Sequence, residues 1–84
     1  MKQKFYYTYV LISDFDGEFY VGWADDLRAR VDKHNDGQVL ATQNRRPLRL
    51  VYYEACINKE LAIAREKTLK TGFGRKYIRK RTGL

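Results

Sequence analysis

Residues 5–34, FYYTYVLISDFDGEFYVGWADDLRARVDKH, decide the fold of this chain. Two β-favouring apolar runs, residues 5–12 and 18–23, flank a turn sequence that ends in Asp16-Gly17. An Asp-Gly pair between such runs predicts a β-hairpin. A charged helical pattern begins near Asp25, so the stretch predicts strand, turn, strand and helix in that order.

The register of this hairpin decides which tyrosines share a face of the sheet, because successive side chains on a strand point to opposite faces. A four-residue loop at residues 14–17 would place Tyr20 opposite Leu11 and Gly22 opposite Tyr9. Tyr9 and Tyr20 would then share a face, whereas a three-residue loop would separate them. Glycine opposite Tyr9 would leave space beside its ring for another backbone or for a ligand.

The helix that follows carries Leu27, Arg30, Val31 and His34 on one face, at the spacing i, i+3, i+4, i+7. We expect Leu27 and Val31 to dock on the sheet, with Arg30 and His34 beside them. Two tyrosine rings, a guanidinium and an imidazole would then border one small area. The alternative is that the tyrosines simply pack, since aromatic residues favour strands, and that Arg30 and His34 are ordinary surface or structural residues.

Length and charge indicate one small domain, residues 1–84, with a basic second half. Residues 1–42 hold five Lys or Arg against seven Asp or Glu, whereas residues 43–84 hold twelve against three. The resulting charges of −2 and +9 predict a surface for a polyanion, the alternative being a solvated surface without a ligand. The sequence shows no signal peptide or membrane-length apolar run and has a single cysteine, Cys56, so we expect a cytoplasmic protein.

The rest of the chain adds a loop, a strand and two helices. Residues 38–47 form a loop that ends in Arg45-Arg46-Pro47, and we expect it to contact phosphate and to become ordered on DNA. Residues 48–55 are the third strand, residues 59–70 a helix capped by Asn58, and residues 75–81 a short basic helix. The predicted class is α+β, a three-stranded antiparallel sheet flanked by helices in the order β-β-α-β-α-α.

Two short motifs and their spacing resemble the GIY-YIG nuclease domain family over nearly the whole chain. The second motif reads Tyr-Val-Gly at residues 20–22, and the first reads Tyr-Thr-Tyr at residues 7–9 instead of Gly-Ile-Tyr. The spacing of the two tyrosines, Arg30 and His34 fits the family, as does the late acid Glu66. The chain is most similar to small stand-alone bacterial members, and it is also similar to the N-terminal domain of the excision-repair nuclease excinuclease C.

The resemblance implies a DNA phosphodiesterase that uses one Mg²⁺ or Mn²⁺ ion held by Glu66. It implies that Tyr9 is the candidate base near the attacking water, and that Tyr20, Arg30 and His34 hold phosphate or assist proton transfer. The implied partner is DNA, including branched or damaged DNA, with no membrane and with a protein partner that could supply target choice. The residues expected to contact DNA are Lys33, Arg45, Arg46, Lys67, Lys70, Arg75, Lys76 and Arg79.

Two other functions fit the same residues. The altered first motif, and the absence of any Asn after Asn58, favour a non-catalytic nucleic-acid-binding module with a degenerate site. A protein-interaction domain is the other alternative. In both, Glu66 would be an ordinary surface acid that pairs with a basic side chain one helical turn away.

Overall fold

The sheet has three antiparallel strands in the order β2-β1-β3, and three helices cover it. The computed structural model describes residues 3–84. The elements are β1 (Tyr6–Ser13), β2 (Phe19–Ala24), α1 (Leu27–Asn35), β3 (Leu48–Cys56), α2 (Lys59–Leu69) and α3 (Gly72–Thr82). The predicted class and order of elements are confirmed. In this part of the chain, no helix combines the length and the apolar character needed to cross a membrane.

The β1–β2 hairpin has the register that a four-residue loop predicts. Tyr9 pairs with Gly22, and Leu11 pairs with Tyr20. The turn is closed by Ser13, whose side-chain oxygen accepts hydrogen bonds from the backbone N–H groups of the second and third residues after it. Gly17 adopts a φ of +74°, a left-handed conformation that glycine enters without steric cost. The inference that Tyr9 and Tyr20 share a face is therefore confirmed.

The sheet is the middle of three layers. Helix α1 covers one face, where Leu27 and Val31 pack on the buried residues Tyr9, Leu11, Ala24 and Leu48. Helices α2 and α3 cover the other face, where the buried residues are Val10, Val21, Leu69 and Ile78. Alternation along β1 thus sends Tyr9 toward α1 and its neighbour Val10 toward α2 and α3.

The helix ends differ from the predicted ones by a few residues, for reasons of capping. Asp26 is the N-cap of α1 and accepts from the backbone N–H of the third residue after it, so the helix begins at Leu27 and the predicted start near Asp25 lies just before it. Thr71 caps α3, which therefore begins at Gly72 rather than at residue 75. Gly74 lies inside this helix, and the position requires glycine because a Cβ there would overlap the backbone of Leu69.

Two apolar residues of α2 and α3 that we predict to be buried are exposed. The helical pattern of residues 59–70 predicts Leu61 on the buried side of α2, and the apolar Phe73 is expected to pin α3 to the rest of the protein. Leu61 is 62% exposed and Phe73 is 61% exposed. Helix α2 turns Ala62 and Leu69 inward, as the same pattern predicts, and the Thr8 hydroxyl donates to the Ala62 carbonyl over 2.9 Å, which ties this face to β1. Ile78, which we also expect to anchor α3, is buried and does so without Phe73.

Candidate functional site

A buried hydrogen bond joins the first strand to the first helix at the centre of the candidate site. The hydroxyl oxygen of Tyr9 lies 2.7 Å from Nε2 of His34, and both side chains are fully buried. The Tyr9 ring lies across Gly22, where an added Cβ would be 2.5 Å from the Tyr9 hydroxyl oxygen. Glycine at this position therefore lets the ring extend over the edge strand β2.

Tyr20 and Arg30 complete the cluster on this face of the sheet. The Tyr20 ring meets the His34 ring edge-on, with 5.0 Å between centroids. Nε of Arg30 is buried and has no hydrogen-bond partner within residues 3–84. A guanidinium N–H that is shielded from water and unpaired costs about 1–3 kcal/mol or more, so Arg30 is poised to donate to a ligand. The structure thus brings together all four residues expected to border one area.

His34 is held from both sides of its ring. Its Nδ1 lies 2.7 Å from the hydroxyl oxygen of Thr42, which is also fully buried. Burial and the positive charge of Arg30 lower the pKa of His34 to about 4, so the imidazole is neutral at pH 7. Sequence reasoning missed Thr42, because one threonine in a polar loop carries no pattern that distinguishes it from its neighbours.

The Tyr9 hydroxyl is subject to opposing influences on its ionisation. Burial raises its pKa above the usual 10.0, and the guanidinium of Arg30 beside it acts in the opposite direction. The charges of Tyr20 and Glu66 raise the pKa slightly further. Tyr9 is therefore a neutral phenol in the free protein at pH 7.

Glu66 approaches the cluster from the opposite layer. Its side chain is 16% exposed, and Oε2 lies 3.2 Å from Nζ of Lys70, one turn along α2. Its charge raises the pKa of Tyr9, as the last and smallest of the influences on that hydroxyl.

A single carboxylate is the acidic contribution to this site. Glu54, another acid of the basic half, is held by two hydrogen bonds of 2.9 Å from Arg65, and Glu60 is exposed at the start of α2. No cluster of three or more His, Cys, Asp or Glu that could hold a metal occurs in the described part of the chain. One largely buried carboxylate fits a hard cation such as Mg²⁺ that keeps several waters and binds substrate phosphate.

An open cleft of about 370 Å³ adjoins the cluster and is lined by Trp23, Arg30 and Lys33 and by the acids Asp25 and Asp26. It offers an approach to Arg30 from solvent. A larger groove of about 990 Å³ runs between α1 and β3, but it is lined by Tyr7, Leu50 and Tyr53 and by none of the site residues.

The residues expected to contact DNA fall into two groups. Lys33 lines the cleft, and Lys67, Arg75 and Lys76 are exposed on α2 and α3. The others have intramolecular partners: Lys70 pairs with Glu66, Nε of Arg46 donates to the Gln43 carbonyl, and Arg79 donates to the Leu84 carbonyl over 3.3 Å. Arg45 donates to Asp16 over 2.6 Å and to the Glu18 carbonyl over 3.0 Å, so it ties the loop to the hairpin.

Comparison with known proteins places these residues in a family. The family model described as the GIY-YIG catalytic domain matches residues 5–79. A UPF0213 protein of Staphylococcus aureus strain Mu3 is 46% identical over 65 residues, which cover 76% of this chain and 79% of that protein. UPF0213 protein SAV0488 of Staphylococcus aureus strain Mu50 is similar to the same extent.

A solved structure shows the same likeness in three dimensions. The solution NMR structure of the UPF0213 protein BH0048 from Bacillus halodurans matches with a TM-score of 0.58 and 30% sequence identity. The match covers 94% of this chain and 86% of that one. The matched segment of the family model spans every strand and helix that carries the cluster, and the chain therefore belongs to the GIY-YIG family of nuclease domains.

Proposed function

We propose that this protein is a metal-dependent endonuclease that hydrolyses phosphodiester bonds of DNA at the cluster of Tyr9, Tyr20, Arg30, His34 and Glu66. The observation that carries the proposal is the buried, unpaired Nε of Arg30 beside the hydrogen-bonded pair of Tyr9 and His34. A phosphate oxygen is a suitable acceptor for that N–H, because a guanidinium fork matches phosphate geometry and a charge-assisted hydrogen bond is strong.

Arg30 has the role of holding the reacting phosphate. Its side chain lines the cleft, and its buried Nε–H has no partner within residues 3–84 with which a phosphate oxygen would have to compete. Charge that develops on the phosphate oxygens in the transition state is stabilised most by donors that are already in place. Tyr20 packs against His34 and borders the same space, where its hydroxyl can orient phosphate or water.

Tyr9 is the proposed base. Its phenolate form takes one proton from the attacking water while the water oxygen bonds to phosphorus and the phosphorus–oxygen bond to the leaving strand breaks, and the leaving oxygen takes a proton from water in the open cleft. His34 holds the Tyr9 oxygen in place and remains neutral, because its pKa is lowered to about 4. Arg30 supports the phenolate by its positive charge.

Glu66 is the proposed ligand of Mg²⁺ or Mn²⁺. Such an ion, when bound, neutralises charge on the phosphate and assists the leaving oxygen. Glu66 must release the Nζ of Lys70 to bind the ion, and Lys70 is then free to contact the DNA backbone. With one protein ligand, binding of the ion depends on phosphate and water for its other positions.

A non-catalytic nucleic-acid-binding module is the second candidate. The Lys70–Glu66 ion pair favours it, since that pair opposes binding of a cation by the carboxylate. The altered first motif, Tyr-Thr-Tyr at residues 7–9, favours it as well. This candidate has the same basic surface but performs no cleavage.

Plasmid nicking with Mg²⁺ or Mn²⁺ tests the proposal. We expect wild type to nick the DNA and EDTA to abolish nicking. Arg30→Ala and Glu66→Gln should each lower the rate at least about 100-fold, because each removes stabilisation that acts in the transition state. Arg28→Ala and Glu60→Gln are matched controls on exposed faces of the same two helices and should leave the rate unchanged.

The outcomes separate the candidates. Nicking that is equal in wild type, Arg30→Ala and Glu66→Gln would show that the activity belongs to another site or to a contaminant. Salt-sensitive DNA binding without nicking in either metal would favour the binding module.

A further inference from the structure

We propose that Thr42 is a positioning residue that keeps the ring hydrogen of His34 on Nε2 and thereby makes the Tyr9 oxygen a hydrogen-bond acceptor. The inference rests on the proposed function in one respect, that Tyr9 is the base. It adds a third residue to the pair and assigns a direction to each hydrogen bond.

The three side chains form a continuous buried chain. Tyr9, His34 and Thr42 are all fully buried, and the two hydrogen bonds that link them are both 2.7 Å long. They come from β1, α1 and the loop before β3, so three separate parts of the chain must be in place for the bonds to form. Such geometry is characteristic of a base oriented by a second group and held by a third.

A count of hydrogens decides the directions. With His34 neutral, the Thr42 hydroxyl, the imidazole and the Tyr9 hydroxyl carry three hydrogens for two hydrogen bonds. One hydrogen must therefore lie outside the chain of bonds. If the ring hydrogen is on Nδ1, the excluded hydrogen is that of Thr42. If the ring hydrogen is on Nε2, the excluded hydrogen is that of Tyr9.

The environment favours excluding the Tyr9 hydrogen. Within residues 3–84 the Thr42 hydroxyl has no hydrogen-bond partner other than His34, and its burial denies it water. The Tyr9 hydroxyl is as buried as that of Thr42, but it lies beside Arg30 at the proposed site, where a water or phosphate oxygen that binds there can accept its hydrogen. Arg30 can only donate, so it also favours a Tyr9 oxygen that accepts.

The arrangement suits the ionised form of Tyr9. Once Tyr9 has lost its proton, two hydrogens remain for two hydrogen bonds: Thr42 donates to Nδ1, and Nε2–H donates to the phenolate. Every buried donor of the chain of bonds is then paired. Thr42 acts through His34 and does not itself touch the reacting atoms.

The direct test is the tautomer of His34 in the resting protein. His34 is the only histidine in the chain, so its two ring-nitrogen ¹⁵N shifts can be assigned without ambiguity. At pH 7 we expect the shift of a protonated nitrogen at Nε2 and that of an unprotonated nitrogen at Nδ1. The opposite assignment would overturn the proposal, whether or not the protein cleaves DNA.

Two substitutions test the role of the hydroxyl. Thr42→Ser keeps the donor and should preserve the tautomer and the nicking rate. Thr42→Val has nearly the same shape without a hydroxyl, so the two ¹⁵N shifts should move toward each other and the rate should fall about 10- to 100-fold, as when an orienting partner is lost.

If His34 keeps the same tautomer in Thr42→Val, Thr42 does not control the position of the ring hydrogen. If the tautomer changes but the nicking rate does not, the position of that hydrogen is irrelevant to cleavage. If Thr42→Val does not fold, wild type and Thr42→Ser still decide the tautomer. If no variant nicks DNA, the proposed function fails, while the ¹⁵N shifts still report on Thr42.

Discussion

His34 is the residue through which the candidate site is connected. It contacts Tyr9 through one ring nitrogen, Thr42 through the other, and Tyr20 through the edge of the ring. Burial disfavours its charged form, so its protonation state differs between the folded and the unfolded chain. That difference makes the stability of the protein depend on pH.

We expect the free energy of unfolding to fall by about 2 kcal/mol between pH 7 and pH 4.5 because of His34 alone. Its pKa is about 4 when folded and 6.5 when unfolded, so the unfolded chain binds more protons in this range and gains stability as pH falls. Urea unfolding at both pH values measures the loss. An NMR titration of the imidazole in the folded protein provides the control, and titration near pH 6.5 would contradict the predicted burial effect.

The loop between α1 and β3 is the element that differs most from expectation. It was expected to become ordered on binding DNA, but intramolecular bonds already hold it. The Ser13 hydroxyl donates to the Arg45 carbonyl over 2.6 Å, and the backbone N–H of Asp14 donates to the Pro47 carbonyl over 2.9 Å. The Asn35 side chain, at the end of α1, both donates to and accepts from the backbone of Leu48. The loop is therefore fixed at both ends, which allows Thr42 to reach His34.

The Arg45–Asp16 ion pair should be part of this fixation. We expect Arg45→Ala to accelerate amide hydrogen exchange across residues 38–47, because it removes the side-chain tie between loop and hairpin. Arg49→Ala is the matched control, since Arg49 pairs with Asp14 at a more exposed position of the same hairpin. Equal exchange in both variants would mean that the backbone bonds hold the loop without Arg45.

Helices α2 and α3 are joined to β3 by a network of polar and aromatic side chains. Glu54 accepts two hydrogen bonds from Arg65 and one from the Tyr52 hydroxyl. The guanidinium groups of Arg65 and Arg81 both lie over the Tyr77 ring, 4.9 Å and 5.1 Å from its centroid. Such contacts stabilise cations on aromatic faces, and here they help to fix the orientation of the basic helix α3.

At the scale of the whole molecule, positive charge is concentrated on the side of the sheet that α2 and α3 cover. Residues 59–82 hold nine Lys or Arg against two Asp or Glu, whereas α1 holds three against one. A surface of one sign on one side attracts the DNA backbone and orients the protein on it, with a strength that salt reduces.

This division predicts the salt dependence of DNA binding. We expect the double variant Arg75→Gln, Lys76→Gln to reduce the slope of log K against log salt concentration by about 2, roughly 1 for each lost phosphate contact. Arg28→Gln, an exposed change on α1, should leave the slope unaltered. Fluorescence anisotropy with a labelled duplex at several salt concentrations measures both, and an equal effect of the two changes would refute a one-sided surface.

Short-range sequence patterns predicted the hairpin and, for a four-residue loop, the face of the sheet to which each of its side chains points. Asp16-Gly17 indicated the turn, the loop length determined the register, and alternation then placed Tyr9 and Tyr20 on one face. The helical spacing of Arg30 and His34 placed them beside those rings. Patterns failed for Leu61 and Phe73, because periodicity identifies apolar residues but not which of them the neighbouring layer covers.

The amino-acid sequence by itself determined the order of the elements and the family, because each depends on residues that are close together in the chain or on motif spacing. The tertiary structure decided the hairpin register between the two loop lengths that the sequence left open, and it decided that Thr42 holds His34 and that the Glu66 carboxylate pairs with Lys70 in the opposite layer. No periodic pattern relates Thr42 to His34. Their contact exists because the loop before β3 is tied back to the hairpin, which carries Thr42 to the buried imidazole.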